Sequence, residues 1–287
     1  MSRVKRILFY AAVVGVVLAL VLPIITFFIN AFAFRWFYPQ FVPNEWSLQA
    51  WERIGLIPRE GQRTLEGWWR LLSSGSDVIN ALGTSLALGG LVTVLSVIIG
   101  LPAARALGLY RFRFKRLVEF MILAPTIVPV IAFVLGLNIN FIRWGFSGTL
   151  LGVAVVHLVP VMPYVVLTLS GVFANYNPEF EEQARTLGAG PLRTFWYITL
   201  PSIFPGLVVA ALFAFLVSWS QYLLTFLIGA GRVITIPMLL FAQASGGNNA
   251  VTAAMSLIFI APAVLTLLLS ARYLSGEASA VGGFGRI

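Results

Sequence analysis

The chain has 287 residues, 59% of them hydrophobic and only 10% charged, with a net charge of +9, and its mean hydropathy is +0.93. A soluble domain carries roughly 25% charged residues, so this composition excludes an ordinary soluble enzyme and points to lipid. The excess of cations suggests nucleic acid only until the charges are placed. They sit in short segments between apolar runs, the pattern of a multi-pass membrane protein. No cysteine is present, so disulfides and thiolate metal sites are excluded.

Residues 1–34 open with Arg3, Lys5 and Arg6 and continue from Ile7 as an apolar run. Ala31-Phe32-Ala33 imitates a signal-peptide cleavage site, but the run exceeds the roughly 7–15 residues of a signal-peptide core and reads as an uncleaved first membrane helix. Residues 35–77 are polar and aromatic, with five arginines, five acids and Trp36, Trp46, Trp51, Trp68 and Trp69. They read as an external loop with short interfacial helices, since tryptophan favours the headgroup level; contact with an external protein is the second reading. Asn80–Ala104 is a second span. The segment Arg105–Arg116 holds Arg105, Arg111, Arg113, Lys115 and Arg116 and is expected in the cytoplasm. Leu117–Leu137 is a third span, 138–147 a short outer loop and Gly148–Phe173 a fourth span. Ile203–Ile228 is a fifth span, Gly229–Ala250 an outer connection with the turn Gly246-Gly247-Asn248-Asn249, and Val251–Arg272 a sixth. Residues 273–287 form a tail. Six spans put both termini inside, and twelve of the nineteen Lys and Arg then fall on the inner side. The expected fold is an all-α membrane protein of six transmembrane helices, with 78–272 as a five-helix core after the first helix.

Between the fourth and fifth spans lies a polar interruption over residues 175–201, NYNPEFEEQARTLGAGPLRTFWYITLP. Asn177 suits a helix N-cap and Pro178 the first helical position. Glu179, Glu181 and Glu182 place negative charge at the positive end of the helix dipole. Phe180, Ala184 and Leu187 fall at i, i+4, i+7 and make one narrow apolar face; Glu181 and Arg185 are expected to pair on the opposite side. Gly188 suits the C′ position, free to take positive φ. Pro191 opens a second helical stretch, and Pro201 marks the return into lipid. The result is an amphipathic cytoplasmic helix on the order of 15 Å long. A helix lying on lipid headgroups would have the same amphipathicity, but that reading leaves Ile198-Thr199-Leu200-Pro201 unexplained.

Glu182-Gln183-Ala184, three residues, Gly188, nine residues, then Ile198-x-Leu200-Pro201: this spacing closely resembles the EAA loop of ABC-importer permeases. Gln183 is the one departure, standing where the family pattern has alanine. From about Asn80 to Arg272 the chain resembles the transmembrane subunit of a binding-protein-dependent importer, of the polyamine and sugar types with MetI-like architecture. The resemblance implies that the interruption is a coupling helix docked in a groove of a cytoplasmic ATPase. Glu182, Gln183 and Ala184 would lie on the docking helix, Gly188 at its sharp end, and Ile198, Leu200 and Pro201 would anchor the helix that follows. It also implies partners: two ATP-binding cassette ATPase subunits, a second permease subunit, and an external solute-binding protein, at a bacterial-type inner membrane. ATP and magnesium would belong to the ATPase, leaving this chain without a cofactor. The expected solute is small and organic, of the polyamine, sugar or polyol class.

The remaining chemistry is sparse. No G-x-x-x-x-G-K-[ST] or H-E-x-x-H occurs, and His157 is the sole histidine, so neither a P-loop nor a histidine metal site is expected. Polar residues inside spans are costly and invite a role. Glu119 is read as snorkelling or pairing with Arg116. His157, beside Pro160 and Pro163, is read as bonding a backbone carbonyl freed by a proline. Ser218, Trp219, Ser220, Gln221 and Tyr222 form the most polar patch within any span, with Trp219 and Tyr222 sharing a helix face. Helix–helix hydrogen bonding and solute contact account for the patch equally well. Asn138 and Asn140 read as loop residues, Asn138 being a further candidate for the solute pathway. The alternative is a stand-alone secondary transporter or channel, which needs an ion-coupling acid or a ring of charge in the spans; the sequence has neither.

Overall fold

The computed structural model describes residues 3–34, 36, 40 and 42–274. In chain order the helices are α1 (Arg3–Phe32), α2 (Gln49–Arg53), α3 (Leu65–Ser74), α4 (Asp77–Leu109), α5 (Lys115–Ile127) and α6 (Val130–Arg143). Then come α7 (Leu150–Ala174), α8 (Glu179–Thr186), α9 (Pro191–Thr194), a π-turn (Phe195–Thr199) and α10 (Leu200–Trp219). Last are α11 (Leu223–Gly229), α12 (Ile236–Ser245) and α13 (Asn249–Leu274). Among the described residues five helical stretches are long and apolar enough to cross a membrane, and the number is six where the bent pair α5–α6 is counted as one span. The expected tail beyond residue 274 lies outside the described residues. The chain divides into two compact units, one of residues up to 82 with 238–262, the other of 83–237 with the residues from 263 on.

In the first unit, α1 buries none of its apolar window inside the chain. Its side chains from Leu8 to Phe28 are therefore available to lipid or to another chain. A two-residue antiparallel ladder pairs Ala33 with Trp46 and Phe34 with Glu45. Trp51 of α2 packs on Phe32 with ring centroids 5.3 Å apart, and Arg63 bridges to Glu52 at 2.7 Å. Thr64 caps α3 by accepting from the Gly67 N–H, and α3 leaves Leu65, Trp68 and Trp69 exposed. That spacing is the apolar stripe of a short interfacial helix. Ser76 starts α4 in the same way, its hydroxyl accepting from the Ile79 N–H.

The second unit is built around α7. Thr149 accepts from the Gly152 N–H to begin it, and Val153, Val156, Val161, Val165, Val166, Leu169 and Phe173 are buried along its length. Apolar burial gives little drive inside lipid, because acyl chains are as apolar as leucine; close packing has to hold the helices together. Glycines provide that closeness. A Cβ on Gly108 of α4 would stand 2.4 Å from Phe173 Cβ and 2.7 Å from the Ser170 carbonyl, and one on Gly206 of α10 would stand 2.2 Å from a Val172 methyl. The GxxxG pair of Gly148 and Gly152 does not serve this purpose, since Gly148 lies before α7 at φ +73°.

Two spans depart from expectation. The third, expected as one helix over 117–137, is α5 and α6 meeting at 95°. The cause is Pro129, which lacks a backbone donor and holds Val128 extended at φ −75°, ψ 130°. Asn138 and Asn140, expected in a loop, consequently lie on α6. The fifth span, expected unbroken to Ile228, stops at Trp219 and resumes at Leu223. At its other end, Pro201 does not start a new segment. The chain is helical from Pro191 to Trp219, with Leu200 N–H bonding Phe195 O five residues back.

Candidate functional site

The polar interruption folds as α8, a short loop and α9. Asn177 Oδ1 accepts from the Glu179 N–H at 3.0 Å, so the expected capping residue does cap, from one position outside Pro178. The C-terminus closes as a Schellman motif. Gly188 N–H bonds Arg185 O and Ala189 N–H bonds Ala184 O, both at 3.0 Å, with Gly188 at φ +82° as the spacing predicts. Pro191 opens α9 from its first turn.

The apolar face expected on α8 is split in the folded chain. Ala184 is buried, while Phe180 is 51% and Leu187 88% exposed. The buried pair is Ala184 and Glu181, the latter only 4% exposed. Glu181 turns inward because both its oxygens find donors there. Arg105 Nη2, near the end of α4, donates to Oε2 at 2.6 Å, and Thr199 Oγ1, at the end of the π-turn, donates to Oε1 at 2.7 Å. Arg185, the partner expected from helical spacing, also pairs with Oε2, at 3.8 Å, and remains largely exposed. Burial pushes the Glu181 carboxyl up, but the Thr199 hydroxyl and the Arg105 guanidinium outweigh it and hold the group below its ordinary value. The Tyr176 hydroxyl approaches the same cluster, is buried, and meets no hydrogen-bond geometry; burial pushes this phenol up.

Among the remaining loop residues, Glu182, Gln183 and Gly188 are exposed, Ile198 and Leu200 half-buried, and Pro201 exposed. The fully buried residue of Ile198-Thr199-Leu200-Pro201 is thus Thr199, at the position the signature leaves open. Sequence reasoning missed the cluster of Arg105, Glu181, Thr199 and Tyr176. The available signal was local: Glu181 and Ala184 are spaced i, i+3, and Arg105 is the first cation after a long apolar span.

A second polar cluster lies within the spans. His157 of α7 is completely buried. Its Nδ1 lies 3.0 Å from Ser218 Oγ on α10 and its Nε2 3.0 Å from Thr225 Oγ1 on α11. Thr225 already donates to Gln221 O, so its oxygen accepts from Nε2–H and Nδ1 accepts from the Ser218 hydroxyl. The expected bond to a proline-freed carbonyl is replaced by this bridge, which holds both sides of the α10–α11 break to α7. Trp219 is buried and stacks on Phe215 at 5.7 Å, while Tyr222 stacks on Phe226 at 5.7 Å. The break means that Trp219 and Tyr222 do not share a helix face. Ser220 is exposed and Gln221 half-buried. On α6, Asn138 Oδ1 is buried without a hydrogen-bond partner. Glu119 shares a cleft of about 470 Å³ with Arg111, Arg113, Lys115 and Arg116; among the described residues it forms no ion pair, so the expected Arg116 bridge is absent. No metal-ligating group of three is present among the described residues.

The comparisons decide what this architecture is. Residues 96–275 match the family described as the binding-protein-dependent transport system inner membrane component. The chain belongs to that family. It is 29% identical over 189 residues to the putrescine transport system permease protein PotI of Escherichia coli (strain K12), covering 63% of this chain and 67% of PotI. It is 28% identical over 220 residues to the molybdenum transport system permease protein ModB of Mycobacterium tuberculosis (strain H37Rv), covering 71% and 83%. To the trehalose transport system permease protein SugB of M. tuberculosis (strain CDC 1551) it is 28% identical over 217 residues, covering 74% and 79%. Its fold matches a chain from a bacterial ABC transporter involved in the import of the acidic polysaccharide alginate, at TM-score 0.68 and 20% identity, over 95% of this chain and 98% of that one. The protein is therefore an ABC-importer permease, a multi-pass transport component of the inner membrane, and the stand-alone transporter reading is not favoured.

Proposed function

We propose that this permease docks a cytoplasmic ATPase through the outward face of α8 and moves a small organic solute inward by alternating access. The observation that carries this reading is the inverted amphipathicity of α8. A carboxylate is buried while Phe180 and Leu187 stand exposed. Leaving two such side chains unburied forgoes about 1.5–3 kcal/mol each, which a docking groove on a partner recovers. Glu182 and Gln183 flank them on the exposed side, Gly188 turns the chain away, and Ile198, Leu200 and Pro201 lead into α10. ATP and magnesium are held by two ATPase subunits, not by this chain. A second permease subunit completes the pathway, and an external binding protein delivers solute. The N-terminus, the 105–116 segment, α8 and the tail are cytoplasmic in this arrangement, and the 35–77 segment is external.

For the solute, the polyamine, sugar or polyol class remains the proposal. Relatives named for putrescine, molybdenum and trehalose resemble this chain almost equally at 28–29% identity. A scaffold shared by cationic, anionic and neutral cargo leaves most selectivity to the binding protein. Gln221, Tyr222 and Asn138 are the pathway candidates with polar groups at a break or unpartnered, while Ser218 and Trp219 hold the break in shape. The test is purification of the tagged chain in mild detergent with mass spectrometry of what stays bound. Recovery of a P-loop ATPase and a second permease supports the reading. A chain that purifies alone, under conditions preserving other ABC complexes, overturns it.

A further inference from the structure

We propose that the Arg105–Glu181–Thr199 cluster is the mechanical link that delivers movement of α8 to the α10–α11 break, with α4 as the connecting rod. The proposal rests on the reading of α8 as the ATPase-docking helix and concerns the opposite face of that helix. Glu181 is turned away from the exposed side chains, so it is a positioning residue and not part of the docking surface. Its two oxygens are held by different elements, Oε2 by Arg105 of α4 and Oε1 by Thr199 at the root of α10. The π-turn is what presents Thr199. One extra residue per turn rotates the chain by about 100° and brings that hydroxyl against α8. A short, charge-assisted bond in a buried place resists separation, because parting it strands a charge. When α8 shifts, α4 and α10 are bound to shift with it.

The far end of α4 shows where that movement arrives. Gly89 lies sixteen residues before Arg105, about 24 Å along the helix. A Cβ there would stand 2.9 Å from the Phe215 ring of α10, so the helix backbone bears directly on that ring. Phe215 stacks on Trp219, the last residue before the break that carries Gln221 and Tyr222. The docking helix and the break are thus joined by one continuous helix, with Pro102 one turn before Arg105, a partly buried ion pair at one end and a ring against backbone at the other.

The experiment uses the complex purified with its ATPase, second permease and binding protein, reconstituted in proteoliposomes. Glu181→Gln, Arg105→Gln and the exchange Arg105→Glu with Glu181→Arg are compared with Phe215→Ala at the far end. The expected result is unchanged ATPase recovery, with uptake per ATP hydrolysed lowered about tenfold in Glu181→Gln, Arg105→Gln and Phe215→Ala, and largely recovered in the exchange. Because the chain has no cysteine, spin labels at introduced cysteines replacing Tyr110 and Thr186 report the α4–α8 distance. That distance is expected to stay constant on ATP binding in the wild type and to spread in Glu181→Gln. Uptake per ATP within about twofold of wild type in Glu181→Gln and Arg105→Gln, at equal expression, overturns the link. Loss of the ATPase from Glu181→Gln also overturns it, by making Glu181 a docking residue. A wild-type chain without any ATPase overturns the docking reading itself, and the link with it.

Discussion

Substitution of Gly188 separates backbone geometry from surface occlusion. Gly188 sits at φ +82°, and a Cβ built there meets nothing within 4 Å. An alanine therefore suffers only the left-handed backbone cost of about 1–2 kcal/mol, and asparagine, which tolerates that region, suffers less. Neither removes the two hydrogen bonds that close α8. Against a total stability of about 5–15 kcal/mol, such a cost lowers the fraction correctly closed without unfolding the chain, and about 1 kcal/mol corresponds to roughly fivefold. Gly188→Trp carries the same backbone cost and adds a large ring in open space beside Leu187, on the face assigned to the ATPase. Uptake into membrane vesicles, normalised to inserted protein, and recovery of the ATPase are the two assays. Asparagine and alanine are expected to keep most uptake and all ATPase recovery, while tryptophan abolishes both and leaves insertion intact. Normal uptake by the tryptophan variant refutes the docking assignment. Equal defects in alanine and tryptophan refute the steric part and assign the role to the turn.

Three further predictions follow from the same geometry. Phe180→Asp and Leu187→Asp are expected to lose the ATPase on purification while leaving the melting temperature of the isolated chain unchanged, because both side chains are exposed; an unchanged ATPase yield counts against the docking face. His157→Ala leaves a cavity and two buried hydroxyls short of a partner, costing about 3 kcal/mol, which thermal denaturation in detergent reads as a lower midpoint; a shift no larger than that of an exposed control such as Leu265→Ala means the bridge carries no stability. The carboxylate of Glu181 is depressed in the folded chain, so its contribution is fully present above the unfolded carboxylate value of about 4.3 and is lost as pH falls through the lower folded value. The melting difference between wild type and Glu181→Gln is therefore expected to be constant from about pH 6 to 8 and to shrink only in stronger acid; a difference that fades near neutrality contradicts the ion pair.

Much of the fold was legible because lipid imposes a coarse grammar. Long apolar runs read as helices, since in hydrocarbon only a helix satisfies the backbone within a single segment, and α1, α4, α7 and α13 lie where those runs lie. The breaks were harder. Val128-Pro129 carries a local signal, and its 95° bend is what proline does when a neighbouring turn is free to leave the axis. The stop after Trp219 has neither proline nor glycine behind it. It is sustained from a distance, by His157 reaching Ser218 and Thr225 from another helix, and such a contact leaves no mark in the local pattern.

The docking loop shows the same division between what is local and what is not. Asn177 acts through a side chain bonded two residues away, and Gly188 and Pro191 through their own backbones, so their roles follow from identity and spacing alone. Glu181 acts through partners 76 residues before it and 18 after it. Periodicity placed it only on the side opposite Phe180 and Leu187, within reach of Arg185. The structure keeps those two sides apart and turns the one with Glu181 into the chain. A buried ion pair fixes which way α8 faces, and that orientation leaves the apolar side chains outside. Amphipathicity read without partners identifies two faces and not which is turned inward; here the sign is set by a cation and a hydroxyl from other elements, Arg105 and Thr199, that reach a carboxylate.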